Sequence, residues 1–223
     1  MKHSSAAQGK DIEVNAGNLG ELAYQTIRRL ILERQLPGGT AVIEGRLAKE
    51  LNISRTPMRE ALVRLEGEGL LVRSGARSYS VRTVRTSEHF QSMQVREWLE
   101  CKAIDLAIGK IPQSEIDDLR VKIDALKDTH HQEAVHWQVD DLMHMLCPRA
   151  SGNQVLARLI AEARVANRLF EVMDPFGRVR EDSEEHLIIL DALEAGDAKA
   201  AKKALVKHFR NIENFVLQRV RGS

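Results

Sequence analysis

Asp140 and His144 stand four residues apart in a segment of helical character, so both side chains leave one helix face about one turn apart. Two further histidines sit on apolar stripes of other segments: His186 with Ile189, Leu190 and Leu193, and His208 with Ala201, Ala204, Leu205, Ile212 and Phe215. Three imidazoles and one carboxylate form a ligand set for a divalent first-row transition ion, zinc or nickel, with water or a small effector filling the remaining positions. The competing reading is structural, because an inward histidine more often bonds a backbone carbonyl than a metal. His136, one turn before Asp140, and Asp141, beside it, are weaker candidates for the same role.

A second group has a different chemistry. Ser54-Arg55-Thr56-Pro57-Met58-Arg59-Glu60 opens with a good N-cap residue and places Pro57 in the first turn, where the missing N–H costs nothing. Arg55 and Arg59 are one turn apart and face away from Met58 and Leu62. The guanidinium fork matches the O6/N7 edge of guanine or a phosphate, and Thr56 can reach a phosphate or a thymine methyl. Arg46 before this segment, and Arg73 and Arg77 after it, are placed for contacts with a nucleic-acid backbone. Any one of these arginines could be part of a solvated helix face; the ordered set argues for DNA.

The elements that must position these groups follow from periodicity. Residues 1–17 are polar, lack a period and read as a disordered tail. Ala23, Ile27, Leu30 and Ile31 make the first apolar stripe, ended by Pro37-Gly38-Gly39. A second short helix is expected with Ile43, Leu47, Ala48 and Leu51 inward, then a turn at Asn52-Ile53 and a third helix whose stripe is Met58, Ala61, Leu62 and Leu65. Leu70-Leu71-Val72 and Tyr79-Ser80-Val81 flank Arg73–Arg77 as a small β-hairpin. Three helices and a hairpin are the winged helix-turn-helix plan over 18–85, with 83–86 as linker. Beyond Ser87 six helical segments are expected, near 87–109, 113–128, 131–149, 153–173, 178–195 and 198–219. Pro112, Pro148 with Gly152, Pro175 with Gly177, and Gly196-Asp197 mark the breaks. The fold class is mainly α, the 86–223 part being an antiparallel bundle of six or seven helices.

Composition agrees with a DNA-facing first part. The chain has 223 residues, of which 43% are hydrophobic and 29% charged, which excludes a disordered protein. Residues 1–85 hold 14 Lys and Arg against 9 Asp and Glu, whereas 86–223 hold 19 against 23, so only the first part has the sign that attracts a polyanion. No apolar run approaches a membrane span and the N-terminus has no leader-like core, so a cytoplasmic protein is expected, with Cys101 and Cys147 as inert thiols.

The run from Glu44 to Leu70, with Ser-Arg-Thr-Pro-x-Arg-Glu-Ala-Leu and the ending Leu-Glu-x-Glu-Gly-Leu, resembles the DNA-binding signature of the GntR family. The helical second part is similar to the FCD effector domain of the FadR subfamily. Such domains carry Asp-x-x-x-His, a His before a run like Leu-Glu-Ala-Gly-Asp, and a His well along the final helix; Asp140, His144, His186 and His208 match these positions. The resemblance implies a homodimer on an inverted-repeat operator, a bound metal, and an effector in the bundle that alters DNA affinity. Arg96 matches an arginine that points into the ligand cavity in similar domains, which suggests a carboxylate-bearing effector; the alternative is an ion pair with Glu100 one turn on. Arg164 and Asn167 are further candidates for the cavity wall. Two positions depart from the family pattern. Gly45 stands where some relatives have an arginine, and Arg77 is followed by Ser78 rather than by glycine at the wing tip.

A ligand-responsive regulator, most simply a repressor, is therefore expected. A metal-sensing regulator is a variant of that reading. A metalloenzyme is disfavoured because no nucleophile–base set or phosphate-cradling loop is present.

Overall fold

The computed structural model describes residues 16–127, 134–170 and 178–221. Most of the expected tail (1–15), and the break expected at Pro175 and Gly177, lie outside the described residues. The first part contains α1 (Ala16–Leu32), β1 (Ala41–Ile43), α2 (Glu44–Glu50), α3 (Arg55–Gly67), β2 (Leu71–Gly75) and β3 (Ser78–Val81). The second contains α4 (Thr86–Ala107), α5 (Gln113–Asp124), α6 (Ala134–Ala150), α7 (Gln154–Phe170), α8 (Val179–Glu194) and α9 (Ala198–Arg221). Each of the six expected helical segments corresponds to one of α4–α9.

Three local expectations change. Ile43 is not on the inner face of α2; it ends β1 and is 50% exposed. The hairpin is the larger part of a three-stranded antiparallel sheet in the order β1-β3-β2, with Val42 opposite Tyr79 and Val72 opposite Ser80. Ala41-Val42-Ile43 alternates exposed, buried, exposed, the period of a strand rather than a helix. Pro148 does not break α6, which runs on to Ala150; Ser151 N–H still donates to Cys147 O at 2.8 Å, so the last turn closes around the proline. Ser54 holds the N-cap position of α3 in an extended conformation, but its side chain makes no capping bond.

Other turns behave as their residues dictate. Asn52 takes φ of 52° between α2 and α3, a conformation that asparagine tolerates better than most residues. Gly196, at φ of 70°, ends α8, and Asp197 Oδ1 accepts Ala200 N–H at 2.9 Å to start α9.

Two apolar cores result. One joins α1, α2, α3 and the sheet around Ile27, Met58, Leu62, Leu65 and Tyr79. The other joins α4 to α9 around Met93, Ile123, Ile160, Ile189, Leu190 and Phe209. Leu169 of α7 packs into the first core, with Val165 at its edge, so the two parts share a seam. The Arg34 guanidinium, just past α1, lies 5.4 Å from the Trp137 ring on α6, and Arg168 of α7 lies 3.6 Å from the same ring. Arg82 reaches Gly69 O at 3.4 Å and also pairs with Glu88 in the first turn of α4. Among the described residues no helix is long and apolar enough to cross a membrane.

Candidate nucleic-acid interface and metal centre

Burying Met58, Ala61, Leu62 and Leu65 turns the opposite face of α3 outward. Ser54, Arg55, Thr56 and Arg59 are all exposed there. Arg55 makes no ion pair, whereas Arg59 is gripped bidentately by Glu44, with Nε and Nη2 donating to the two carboxylate oxygens at 3.0 and 2.8 Å. Glu44 itself is only 2% exposed. Its hydrogen bonds from Arg59, helped by the fields of Arg77 and Arg55, outweigh burial and hold its carboxyl below the ordinary range. One buried carboxylate thus lies beneath three of the arginines singled out from the sequence. Arg46 pairs with Glu50 at 2.8 Å, and Arg73 pairs with Glu66 at 2.7 Å beside the Tyr79 ring. Arg77 is exposed at the β2–β3 turn, and its carbonyl accepts Glu44 N–H. A side chain at Gly45 would meet open space, so this exposed position forgoes a contact by composition rather than by crowding.

The second site gathers residues from α4, α6, α7, α8 and α9. Ring nitrogens of His144, His186 and His208 all lie within 4.8 Å of one another, and all three side chains are buried. Asp140 stands beside them, its Oδ1 3.6 Å from His144 Nε2 and 3.8 Å from His186 Nε2. Its other oxygen accepts Arg164 Nη2 at 2.7 Å. Burial would raise the Asp140 pKa, but Arg164 and the imidazoles hold it well below the usual carboxylate range. Burial pushes His186 and His208 the other way, below the ordinary imidazole value, so both are neutral near pH 7, the form that binds metal.

The donor set fits a metal. Nε2 of His186 and Nε2 of His208 are buried with no hydrogen-bond partner. Carboxylates hold the other nitrogen of two rings: Glu100 Oε2 lies 2.7 Å from His144 Nδ1, and Glu185 Oε2 lies 2.7 Å from His208 Nδ1. Such carboxylates fix the tautomer that presents Nε2 and raise the basicity of the ligand. His136 is buried in the wall of the adjoining cavity rather than in this triad, and Asp141 is taken up by Arg164.

Arg96 makes the ion pair with Glu100 and also borders the cavity. Its Nε donates to Glu100 at 2.9 Å and its Nη1 to Asn167 Oδ1 at 3.2 Å, while Nη2 is buried with no partner. Glu100 carries Arg96 on one oxygen and His144 on the other, and the Arg96 charge with the His144 hydrogen bond outweighs burial to hold it at about 2. A cavity of about 140 Å³ opens beside Arg96, Asp140, His144 and His186. Arg164 proves to hold Asp140 and Asp141, and Asn167 to hold Arg96, so both act just behind the cavity wall. Glu44, Glu100 and Glu185 were not foreseen as site residues. Glu100 sits one turn after Arg96 and Glu185 beside His186, but only the packing of α4 on α6 and of α8 on α9 aims them at histidines.

Comparison with known proteins identifies both parts of the chain. Residues 19–81 match the bacterial regulatory proteins of the gntR family, and residues 91–211 match the FCD domain. The HTH-type transcriptional regulator YdhC of Bacillus subtilis (strain 168) is 23% identical over 84% of this chain and 86% of its own length. The HTH-type transcriptional repressor RspR of Escherichia coli (strain K12) is 24% identical over 87% of each chain. The solved structure of E. coli McbR/YncC superposes with a TM-score of 0.76 at 22% identity, covering 91% of this chain and 98% of that one. The chain belongs to the GntR family, with a winged helix-turn-helix followed by an FCD domain as in the FadR type, and is a DNA-binding transcription regulator rather than an enzyme.

Proposed function

We propose that the chain is a repressor that binds an inverted-repeat operator as a homodimer and releases it when a small carboxylate enters the bundle. In this reading α3 enters the major groove, with Ser54, Arg55, Thr56 and Arg59 at the bases and phosphates and Arg46, Arg73 and Arg77 on the backbone. Glu44 acts as a positioning residue, presetting the Arg59 fork. Asp140, His144, His186 and His208 hold a divalent transition ion, zinc or nickel. When bound, that ion supplies a Lewis-acidic anchor for a carboxylate oxygen. Arg96 Nη2 supplies a charge-assisted hydrogen bond to the same group. A homodimer is supported by apolar side chains left facing solvent, notably Trp98, 61% exposed, with Val95 on the same face of α4.

The observation that carries the reading is the placement of Trp137. Its ring lines the same cavity as His144 and His186 and meets Arg34 of the DNA-binding part. A ligand that moves this ring has a physical route to the orientation of α3, and differential affinity for two orientations is what shifts operator binding. The test is fluorescence anisotropy on the DNA upstream of the protein's own gene, with metal-loaded and chelator-treated protein and with organic acids added. Operator binding that weakens on adding an acid to the metal-loaded protein supports the reading. Binding indifferent to both metal and acids refutes it.

A further inference from the structure

The cavity brings an aromatic and aliphatic wall together with the metal-ligand candidates. On α6, Trp137 lies seven residues before His144; on α9, Phe215 lies seven residues after His208. Seven residues bring a helix back to nearly the same face about 10 Å along its axis. Both helices therefore carry an imidazole at one level and an aromatic ring two turns away. Trp137, Phe170, Ile212, Phe215 and Val216 all line the cavity together with Arg96, Asp140, His144 and His186; His136 beside Trp137 and Arg219 one turn past Phe215 line it as well. Two polar residues of the wall, Arg178 and Ser183, are engaged elsewhere. Arg178 Nε donates to Asp182 at 3.0 Å and its Nη2 to Glu185 at 2.7 Å, and Ser183 Oγ donates to Val179 O at 2.8 Å.

Size narrows the occupant. The cavity measures about 140 Å³, and an engineered apolar cavity of roughly 150 Å³ takes up one benzene. A polyhydroxy acid would set several of its hydroxyls against the ring faces of Trp137, Phe170 and Phe215, which replace water poorly as hydrogen-bond partners. Resting on the effector reading above, we infer that the ligand is a monocarboxylate with a compact apolar body, one aromatic ring or a branched alkyl group. Its carboxylate lies at Arg96 and the metal ligands, and its body lies against Trp137, Phe170 and Phe215. Phe215 and Val216 are then specificity-determining residues.

The experiment is calorimetric titration of the full-length, zinc-loaded protein with benzoate, phenylacetate and isovalerate, and in parallel with lactate, glycerate and gluconate. The first three should bind about tenfold or more tightly than the second three, with a negative heat-capacity change from apolar burial. Phe215→Ala should weaken the best apolar acid by about tenfold and leave lactate nearly unchanged. Val216→Thr, nearly isosteric, reads the same preference should Phe215→Ala fail to fold. If the hydroxy acids bind as tightly as the apolar ones, or the variants weaken both classes equally, the inference is overturned and the effector reading stands. If none of the six acids binds, both fall.

Discussion

Replacing Glu100 by glutamine changes one atom in the wall of the metal centre and reverses a hydrogen bond. In the parent, Oε2 faces His144 Nδ1 at 2.7 Å and Oε1 accepts Arg96 Nε–H at 2.9 Å. A carboxylate accepts on both oxygens, so His144 protonates Nδ1 and presents Nε2 toward Asp140 and the other histidines. In Glu100→Gln an amide NH₂ takes one of those places. Facing His144, it turns Nδ1 into an acceptor and moves the proton to Nε2, the nitrogen needed for the ion. Facing Arg96, it sets two donors against each other and leaves a buried guanidinium without its counter-charge, Arg96 being 5% exposed. Neither orientation preserves both bonds, and loss of such an orienting carboxylate lowers metal affinity about 10- to 100-fold, roughly 1.4 to 2.8 kcal/mol. Competition for zinc and for nickel against a chromophoric chelator measures the loss directly, with Glu115→Gln on an exposed face of α5 as control. A Glu100→Gln affinity within threefold of the parent would refute the assignment of Glu100 and, with it, the tautomer drawn for His144.

Four further outcomes are expected. His89, 1% exposed, is held at about 4 by burial and by Arg96; the unfolded chain takes up that proton as pH falls through 6.5 and the folded chain does not. Stability present at neutral pH is therefore lost between about 6.5 and 4, roughly 2 kcal/mol of it by pH 5, and denaturant melts near pH 7.5 and pH 5 should show a smaller loss in His89→Gln. Equal losses would count against it. Arg55→Ala should lower operator affinity roughly tenfold or more and reduce the salt slope by about one, with no change in melting temperature, as gel shifts across a salt series would reveal. Arg59→Ala should also destabilise the fold, because it strands the buried Glu44 carboxylate, so its binding loss must be compared with that of Glu44→Gln. Arg34→Gln should leave phenylacetate binding within about twofold of the parent while weakening phenylacetate-induced operator release; unchanged release would disconnect the Trp137 contact from signalling.

Local signals carried far in this sequence, and non-local ones did not. The stripes of α1, α3 and the six later helices depend on residues three and four apart, and the glycine and proline breaks are local too. Ile43 was misread because β1 exists only through β3, whose residues lie more than 30 positions away, and three residues following a helical stripe carry little period of their own. His186 and His208 could be singled out because each interrupts an apolar stripe, and His144 because Asp140 stands one turn before it, signals visible along one helix. Glu100, Glu185 and Glu44 follow the opposite logic. Each is an acid near an arginine in sequence or space, which resembles a surface ion pair until packing buries it. Arg164 could not be placed because its partners, Asp140 and Asp141, lie across the α6–α7 contact.

The seam ring also gives the protein an optical reporter of its own state. The chain has two tryptophans, and the other, Trp98, lies on the outer face of α4 and not in the cavity wall. Trp98→Phe would leave a single indole that touches the cavity on one side and two guanidinium groups on the other. Its emission would respond both to a ring or alkyl group arriving against it and to Arg34 drawing away. Rapid mixing with an acid could then separate the two events in time, one dependent on ligand concentration and the other not, and so reveal whether binding precedes the movement of the DNA-binding part or selects it.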